Sequence, residues 1–447
     1  MQGKKDILTP KEWIFILEDE KGGYILFAPI HKVAARISKE GKEEIHKILN
    51  EKTTAVDTNS PMYTFFKEKH LLEFPLSWKI EFIKEQKRKP KLTISLTNKC
   101  NLRCLYCYSD TGKDDSTLPW ETAKQAITCV TQKAIEQGEK QVQITFHGGG
   151  EAFMEYSLMK KCVEYARTIG LVNNLDFVFS VVTNATLINQ EKASWMKDSG
   201  FTGVTISLDG INEVNDHQRV DQNGRGSFLR IMEGIYCLND VKIDFSIRST
   251  VTNYGVDKMM DFVNFSSTNI FPNKGLIHFE PLSICGRASK TSLSIKPQKF
   301  FDNYILAKQQ GREIGVDVNC SLDTFKKERR KYCGASYGTM VCVTPTGDIT
   351  ACSRVTKSSD IGSELFFYGK IDSSEHPFLI EPTKIERIIE HGGLPAECKN
   401  CYARWNCQGH CPFMRYVDKG INKVTCALIR SFLKYYLTKE LDLVYQK

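Results

Sequence analysis

Hydrophobic positions between residues 91 and 315 follow two alternating periods. Short continuous apolar runs, such as 177–182, are each followed by a segment whose apolar residues repeat at helical spacing. Continuous apolar strands are typical of a parallel sheet that is covered on both faces. The pattern predicts strands near 91–98, 141–146, 176–183, 203–208, 241–251 and 276–282, and helices near 119–137, 155–169, 189–198, 227–238, 255–267 and 297–314. These strand–helix units are too few for a closed barrel of eight.

The segments on either side follow other patterns. Residues 1–88 predict a small α+β domain, whereas residues 316–447 are irregular, rich in Cys and Gly, and end in a helix over 425–441. With so few apolar residues for its length, this last region is expected to be held together by bound metal. The N-terminal domain is expected to contain strands over 13–17, 24–28 and 33–37, helices over 42–49 and after Pro61, and a Lys-rich linker over 84–91.

Composition narrows the class of protein. The chain has 447 residues, of which 41% are hydrophobic, with a formal charge of +8 and sixteen cysteines. No apolar run reaches the roughly 18 residues of a membrane span, and no charged-then-apolar leader begins the chain. We therefore expect a cytoplasmic protein with no membrane partner, whose cysteines bind metal rather than form disulfides. The modest charge permits an acidic peptide partner and does not indicate nucleic acid.

The motif that organises the chain is Cys100-x3-Cys104-x2-Cys107, which follows the first predicted barrel strand. Three thiolates in so short a loop can share one cluster and leave one iron open. This spacing, with Tyr106 before the last Cys, resembles the signature of the radical S-adenosylmethionine (SAM) superfamily. The resemblance implies a partial (β/α)6 TIM barrel and a [4Fe–4S] cluster whose open iron chelates SAM and releases a 5′-deoxyadenosyl radical. A zinc knuckle is the alternative, but no fourth Cys or His lies nearby.

Several strand ends match further motifs of this family. The second strand is followed by Gly149-Gly150-Glu151, similar to the GGE motif that contacts the SAM amino group. The third strand ends in Thr183-Asn184, similar to a TNG turn, with Ala185 in place of Gly, so that a positive φ there would be strained. The fourth strand and the run after it resemble an SLDG…R…GxGSF stretch. The resemblance implies SAM ribose or substrate contacts from Ser207 and Asp209, and a SAM carboxylate partner in Arg219.

The C-terminal cysteines form a second pattern. It runs Cys333-x13-Gly347-x4-Cys352, then Cys398-x2-Cys401-x5-Cys407-x3-Cys411, then Cys426. This order resembles the seven-cysteine SPASM domain, which implies two auxiliary [4Fe–4S] clusters and thus three in all. Zinc is the alternative, although zinc ribbons share only the CxxC pairs. By the resemblance, the outer cluster is held by Cys398, Cys401, Cys407 and Cys426, and the inner one by Cys333, Cys352 and Cys411.

Seven thiolates leave the inner cluster one ligand short. Either Cys342 supplies the eighth, or the site is open to a substrate thiolate. If Thr346 and Gly347 form a hairpin loop, Cys342 pairs with Ala351 and faces away from Cys352, which favours the open site. A bulge of one residue would reverse this argument. The remaining cysteines are expected to be core residues: Cys129, Cys162, Cys237, Cys285 and Cys320. For Cys285, which follows the sixth strand, a position at the border of the active site is the alternative.

The N-terminal domain resembles, by pattern alone, the small winged-helix recognition element similar to PqqD that precedes many peptide-modifying radical SAM enzymes. Such elements are thought to add a leader peptide as an extra strand. A structural cap on the barrel is the alternative.

Together these resemblances predict a radical SAM/SPASM maturase of a ribosomally made precursor peptide, served by an electron donor such as flavodoxin or ferredoxin. An intramolecular thioether is the first choice of cross-link, because an open auxiliary cluster suits thiolate binding. Carbon–carbon or carbon–oxygen cross-linking, formylglycine formation as in anaerobic sulfatase maturases, a non-catalytic iron–sulfur peptide-binding partner and nucleic-acid modification are the alternatives. The general base and the catalytic side chains stay unknown at this level.

Overall fold

The computed structural model describes residues 8–50, 57–76, 78, 90–325, 327–371 and 378–445. Most of the predicted linker over 84–91 lies outside these residues. The barrel strands are β4 to β9, and all of them run parallel: Lys91–Ile94, Gln141–Phe146, Asp176–Thr183, Phe201–Ser207, Phe245–Val251 and Gly275–Pro281. A further parallel strand, β10 (Val316–Asn319), pairs with β9.

Helices follow each barrel strand within a few residues of the predicted positions. They are α3 to α5 and α7 to α9: Trp120–Glu136, Tyr156–Asn173, Gln190–Asp198, Phe228–Asp240, Met259–Asn269 and Pro297–Ile314. The short α6 (Asn212–Gln218) was not predicted. The apolar strand residues that point toward the helices, such as Ile144, Phe146 and Phe179, are completely buried. This burial explains the continuous apolar runs and confirms the α/β class.

The C-terminal region continues the barrel sheet. Strand β11 (Val341–Val343) pairs in parallel with β4, so the sheet crosses the domain boundary expected near residue 315. Strands β12 to β14 extend it in antiparallel fashion: Asp348–Thr350, Phe367–Ile371 and Phe378–Ile380. The helices of this region are α10 to α15: Gly334–Tyr337, Ser363–Phe366, Pro382–His391, Arg404–Cys407, Pro412–Val417 and Lys423–Tyr445.

The N-terminal unit is an antiparallel meander followed by helices. Strands β1 to β3 cover Phe15–Glu18, Tyr24–Ala28 and Val33–Ile37, with α1 over Lys39–Asn50 and α2 over Pro61–Glu68. The unit packs on the C-terminal region: the Trp405 indole N–H donates to the Glu12 carbonyl oxygen across 2.8 Å. At the other side, Arg36 of β3 forms an ion pair of 2.5 Å with Asp442 of α15.

Among the described residues, no helix is long and apolar enough to cross a membrane.

Candidate functional site

The loop that carries Cys100, Cys104 and Cys107 leaves the C-terminal end of β4, and all three residues line one cavity of about 460 Å³. The Leu102 N–H donates to the Cys100 sulfur across 3.4 Å. Burial raises the pKa of Cys100 to about 12 and the pKa of Cys104 to about 11. Such thiols are protonated at neutral pH unless a bound metal displaces the proton.

The glycine run after β5 packs directly against this loop. A Cβ at Gly150 would overlap the carbonyl oxygens of Lys99 and Thr97, and one at Gly149 would overlap the Asn98 side chain. The Gly150 N–H donates to the Thr97 carbonyl oxygen across 3.0 Å. The two glycines therefore permit a close approach of two protein loops.

Glu151 follows the glycines and lines the cavity. Its carboxylate accepts hydrogen bonds of 2.7 Å from the Thr183 hydroxyl and from the backbone N–H of Asn184, at the end of β6. Burial raises the pKa of Glu151 above its usual value, although these donors oppose the shift. The end of β6 thus holds the Glu151 carboxylate in place. Six other predicted SAM contacts line the same cavity: Gly149, Gly150, Thr183, Asn184, Ser207 and Arg219.

Asp209 is the exception, because its side chain does not line this cavity. Its carboxylate accepts hydrogen bonds from the Tyr106 hydroxyl at 2.5 Å, from Gln218 at 2.9 Å and from the Thr250 N–H at 2.9 Å. The expected contact of Asp209 with SAM ribose or substrate stays a prediction. In the structure the residue fixes Tyr106 of the cysteine loop, and Arg219 donates to the same hydroxyl across 2.6 Å.

Three polar residues that the sequence argument missed also line the cavity: His147, which follows β5, Arg248 within β8, and Glu280 near the end of β9. Burial lowers the pKa of His147 to about 4, with help from Arg248 and Arg354. Burial would raise the pKa of Glu280, but the hydrogen bond from His278 and the charge of Arg248 outweigh it and lower the pKa to about 2.

The C-terminal cysteines interact within the two sets that the sequence analysis names, and their ligation of two clusters stays a prediction. In the first set, burial raises the pKa of Cys407 to about 12, and Cys426, Cys398 and Cys401 add to the shift. In the second set, burial raises the pKa of Cys352 to about 12, and Cys411 and Cys333 add to the shift. Arg415 lies between the sets, near members of both. Within the described residues, no three Cys, His, Asp or Glu side chains converge closely enough to hold a single metal ion.

The hairpin argument about Cys342 was wrong. The Thr344 N–H bonds to the Asp348 carbonyl oxygen across 3.0 Å, so the loop has three residues and ends in Gly347 with φ +82°. Cys342 consequently pairs with Thr350 rather than with Ala351. Cys342 therefore shares a face of the sheet with Thr350, and Cys352 follows Thr350 by two residues. The third loop residue is the single insertion that reverses the argument.

Comparison with known proteins relates the chain to the radical SAM superfamily. The model of the Radical SAM superfamily matches residues 94–265. The uncharacterized protein MJ0907 of Methanocaldococcus jannaschii is 31% identical over 272 residues, which are 61% of this chain and 87% of that protein. The chain belongs to the radical SAM superfamily. It is a radical SAM enzyme, and its cofactors are SAM and iron–sulfur.

A sulfatase-maturating enzyme is among the other similar proteins. A cysteine-type anaerobic sulfatase-maturating enzyme of Clostridium novyi is 30% identical over 171 residues, 37% of this chain and 45% of that protein. Among solved structures, anSMEcpe with bound AdoMet has a TM-score of 0.64 at 21% identity and covers 80% of this chain and 99% of its own. Streptococcus suis SuiB bound to S-adenosylmethionine has a TM-score of 0.54 at 14% identity, with coverage of 93% and 99%. These two structures share the fold.

Proposed function

We propose that this radical SAM enzyme is a peptide maturase, which abstracts a hydrogen from a carbon of a ribosomally made precursor peptide and forms an intramolecular cross-link. One observation carries the proposal: a single cavity is lined by Cys107 of the catalytic loop and by Ser353 and Arg354, which follow Cys352 of the second cysteine set. A peptide in this cavity would lie between the two sulfur sites. SuiB has been solved bound to the precursor peptide SuiA, which supports a peptide substrate.

The roles of the chain's own residues follow from their positions. Bound SAM and its cluster would supply the 5′-deoxyadenosyl radical. In this proposal Glu151 receives the SAM amino group, and Arg219, whose Nε is buried with no hydrogen-bond partner within the described residues, receives the SAM carboxylate. We further propose three [4Fe–4S] clusters, on the catalytic loop and on the two C-terminal sets, because each set supplies at least three thiols and soft sulfur ligands hold such clusters.

The observations support a peptide substrate more strongly than they support any one type of cross-link. The preference for a thioether rested on the hairpin parity that the structure reverses. A thioether and a carbon–carbon or carbon–oxygen cross-link therefore have equal structural support. Each closure would remove two hydrogens from the peptide: one as the atom that the 5′-deoxyadenosyl radical accepts, and one as a proton, with the remaining electron accepted by an auxiliary cluster proposed above. Formylglycine formation is a second candidate function, favoured by the similarity to the Clostridium novyi maturase over 171 residues.

Recognition of the peptide is proposed for the N-terminal unit. Strand β3 contacts α15 through Arg36, whereas β1, within the described residues, pairs with β2 alone. A groove of about 450 Å³ lies beside β1 and is bordered by Ile16, Lys42 and His46. An edge strand next to an apolar groove with basic rims suits an extended peptide that carries apolar and acidic residues.

Mass spectrometry tests the proposal. The reconstituted enzyme is incubated with SAM, a reductant and the peptide encoded by a neighbouring short reading frame. We expect loss of two hydrogens and a fragmentation gap that spans the joined residues, with no product from the Cys104→Ala variant. A product that reacts with hydroxylamine as an aldehyde would instead establish formylglycine. Production of 5′-deoxyadenosine with an unmodified peptide would contradict the maturase assignment for that peptide.

A further inference from the structure

Strands β8 and β9 present a cation and an anion to the same cavity. Arg248 of β8 lies opposite His278 of β9, and Thr250 lies opposite Glu280. Residues two apart on a strand share a face, so the side chains of Arg248 and Glu280 leave the same side of the sheet. Both residues line the cavity that contains the three-cysteine loop. The two charges are therefore available to a molecule that enters this cavity.

The protein itself uses the anion of this pair but not the cation. The Glu280 carboxylate is hydrogen-bonded to His278 at 2.9 Å and to the Ser321 hydroxyl. Arg248 is half-buried, and among the described residues no hydrogen bond and no ion pair engages its guanidinium. A charge inside a protein is costly unless polar partners compensate it. Arg248 therefore keeps its N–H donors for a group that enters from outside.

Arg354 adds a second cation from the C-terminal region. It lies in the loop after β12 and lines the same cavity. Its guanidinium carbon is 5.8 Å from the ring centre of Tyr108 and 5.7 Å from that of Phe413, so two aromatic rings fix its position. Its side-chain hydrogen bonds go to the sulfurs of Met414, at 3.5 Å, and Cys285, which are weak acceptors. No carboxylate among the described residues forms an ion pair with Arg354.

The part of the cavity that is not assigned to SAM carries more positive than negative charge. The proposed function assigns Arg219 and Glu151 to the SAM carboxylate and amino group. The other charged groups of the cavity wall are two guanidiniums and one carboxylate, those of Arg248, Arg354 and Glu280. Burial, together with the two arginines, lowers the pKa of His147 to about 4, so its imidazole is neutral. This part of the cavity therefore favours a ligand group with a negative charge.

We propose that Arg248, together with Arg354, binds a carboxylate of the precursor peptide and so positions the residue that reacts. The inference rests on the peptide maturase proposed above and names the chemistry of its substrate. The carboxylate belongs either to an Asp or Glu side chain or to the C-terminus of the peptide. A guanidinium recognises both through its planar fork of N–H donors. A peptide without this group leaves the guanidiniums unpaired, and sites built to hydrogen-bond a substrate reject such analogues strongly.

The first experiment varies the peptide. The precursor from the neighbouring short reading frame is prepared with each Asp or Glu changed in turn to its amide, and separately with an amidated C-terminus. Because a hydrogen bond between charged groups is strong, one of these peptides should lose at least about tenfold in kcat/KM with the parent enzyme. The peptide that loses activity identifies the source of the carboxylate. Equal kcat/KM for all of the peptides would overturn the proposal.

A variant enzyme assigns the loss to the cavity rather than to another part of the peptide-binding surface. In Arg248→Gln, the acid and amide forms of the sensitive peptide should have kcat/KM values within about twofold of each other, because the partner of the carboxylate is gone. Arg167→Gln makes the same change on the exposed helical layer and should keep the parental preference. An undiminished preference in Arg248→Gln would contradict the proposal. Arg354→Gln provides the same comparison if Arg248→Gln does not fold.

A probe of defined structure separates this inference from the maturase function. N-acetylglutamate methylamide and N-acetylglutamine methylamide differ only in the carboxylate, and their binding to the SAM-loaded holoenzyme is compared by saturation-transfer NMR. We expect stronger transfer to the glutamate probe in the parent protein and equal transfer in Arg248→Gln. If the glutamate probe is preferred but the neighbouring peptide is not modified, the maturase function fails for that peptide and the carboxylate site stands. Equal transfer to both probes in the parent protein would refute the carboxylate site.

Discussion

Arg287 and Cys107 are joined by a backbone hydrogen bond of 2.9 Å, which ties the loop after the last barrel strand to the loop after the first. The Arg287 side chain adds to this contact. Its guanidinium donates to the carbonyl oxygens of Cys104 at 2.7 Å and Thr111 at 2.6 Å, and it lies 3.1 Å from Asp110. Arg287 therefore holds the backbone of the three-cysteine loop. No motif or residue spacing in the sequence indicated this role for Arg287.

Replacing Arg287 by Gln should loosen this loop. The fork that holds two carbonyl oxygens is lost, and partners that orient metal ligands typically change metal affinity about 10–100-fold. We expect faster iron release to a chelator and a higher KM for SAM in 5′-deoxyadenosine formation. Arg287→Lys should rescue little, because an ammonium lacks the fork.

Arg167→Gln is the matched control for this prediction. Arg167 also donates to a backbone carbonyl, that of Asp198 at 2.8 Å, but on the exposed helical layer. Iron release and KM in this variant should equal those of the parent. Equal effects of the two substitutions would show that Arg287 has no special hold on the cysteine loop.

Ala185 occupies a conformation in which glycine is favoured. Its φ of +57° confirms the strain expected at this turn. Relief of left-handed strain is worth about 1–2 kcal/mol, which offsets the entropy of Gly and the loss of a buried methyl group, each of about 0.5–1 kcal/mol. Ala185→Gly should therefore change the free energy of unfolding of the holoprotein by less than about 0.5 kcal/mol.

Ala134 supplies the comparison for Ala185. It is equally buried but lies within helix α3, where Gly has no strain to relieve. Ala134→Gly should cost about 1–2 kcal/mol, from helix propensity and the lost methyl group. Denaturant unfolding of both variants measures the difference, and equal losses would argue against strain at Ala185.

Glu280 is expected to stay ionised throughout the neutral range. Its pKa is lowered from 4.5 to about 2, so its stabilising contribution is complete above pH 4.5 and is lost only as the pH falls toward 2. Glu280→Gln weakens the bonds from Ser321 and His278, and should cost about 1.5–3 kcal/mol. We expect the same loss in melting temperature at pH 6, 7 and 8.

The pH dependence carries the functional meaning of this experiment. A loss that shrinks from pH 8 to pH 6 would mean that Glu280 titrates near neutrality, as a general base does. A constant loss leaves Glu280 as a fixed negative charge opposite Arg248. The Ser321→Ala variant, which removes one donor and leaves the carboxylate, should give a smaller loss with the same flat profile.

The sequence predicted what is encoded locally. Strand β6 and helix α9 were located within a few residues, because a covered parallel strand and an amphipathic helix each have their own apolar period. The pairing of β11 with β4 was not predictable, since it joins segments about 250 residues apart without a local signal. Cys342 was misplaced for a related reason: a single extra loop residue, Pro345, reverses the face of every residue on the strand.

The residues of the functional site divide in the same way, into those with a local sequence signal and those that meet only in the folded chain. The motif cysteines and Glu151 were brought to attention by their short spacing, and the structure has Cys100, Cys104, Cys107 and Glu151 line one cavity. Arg287 reaches the cysteine loop only in the folded chain. The sequence could not show that the Asp209 oxygens accept from Tyr106, Gln218 and Thr250.

The last prediction concerns the edge of β1. Deleting residues 1–88 would uncover Trp405, which lies between Cys401 and Cys407 and contacts Glu12, so a loss of peptide binding would be ambiguous. A point change is cleaner. Ile16→Lys places a charge in the groove without removing the unit, and it should weaken binding of the precursor peptide at least about tenfold, since a lost apolar contact of this size is worth 1.5 kcal/mol or more.

The control lies on β14, an edge strand of the larger sheet. Ile380 of β14 is 41% exposed, and Ile380→Lys introduces the same charge at the far end of the larger sheet. Binding is measured by fluorescence anisotropy of a labelled precursor peptide, and uncoupled 5′-deoxyadenosine formation should be unchanged in both variants. Weaker binding for Ile380→Lys alone would move the recognition edge to β14. Unchanged binding for Ile16→Lys would leave the N-terminal unit as a cap that packs on Trp405.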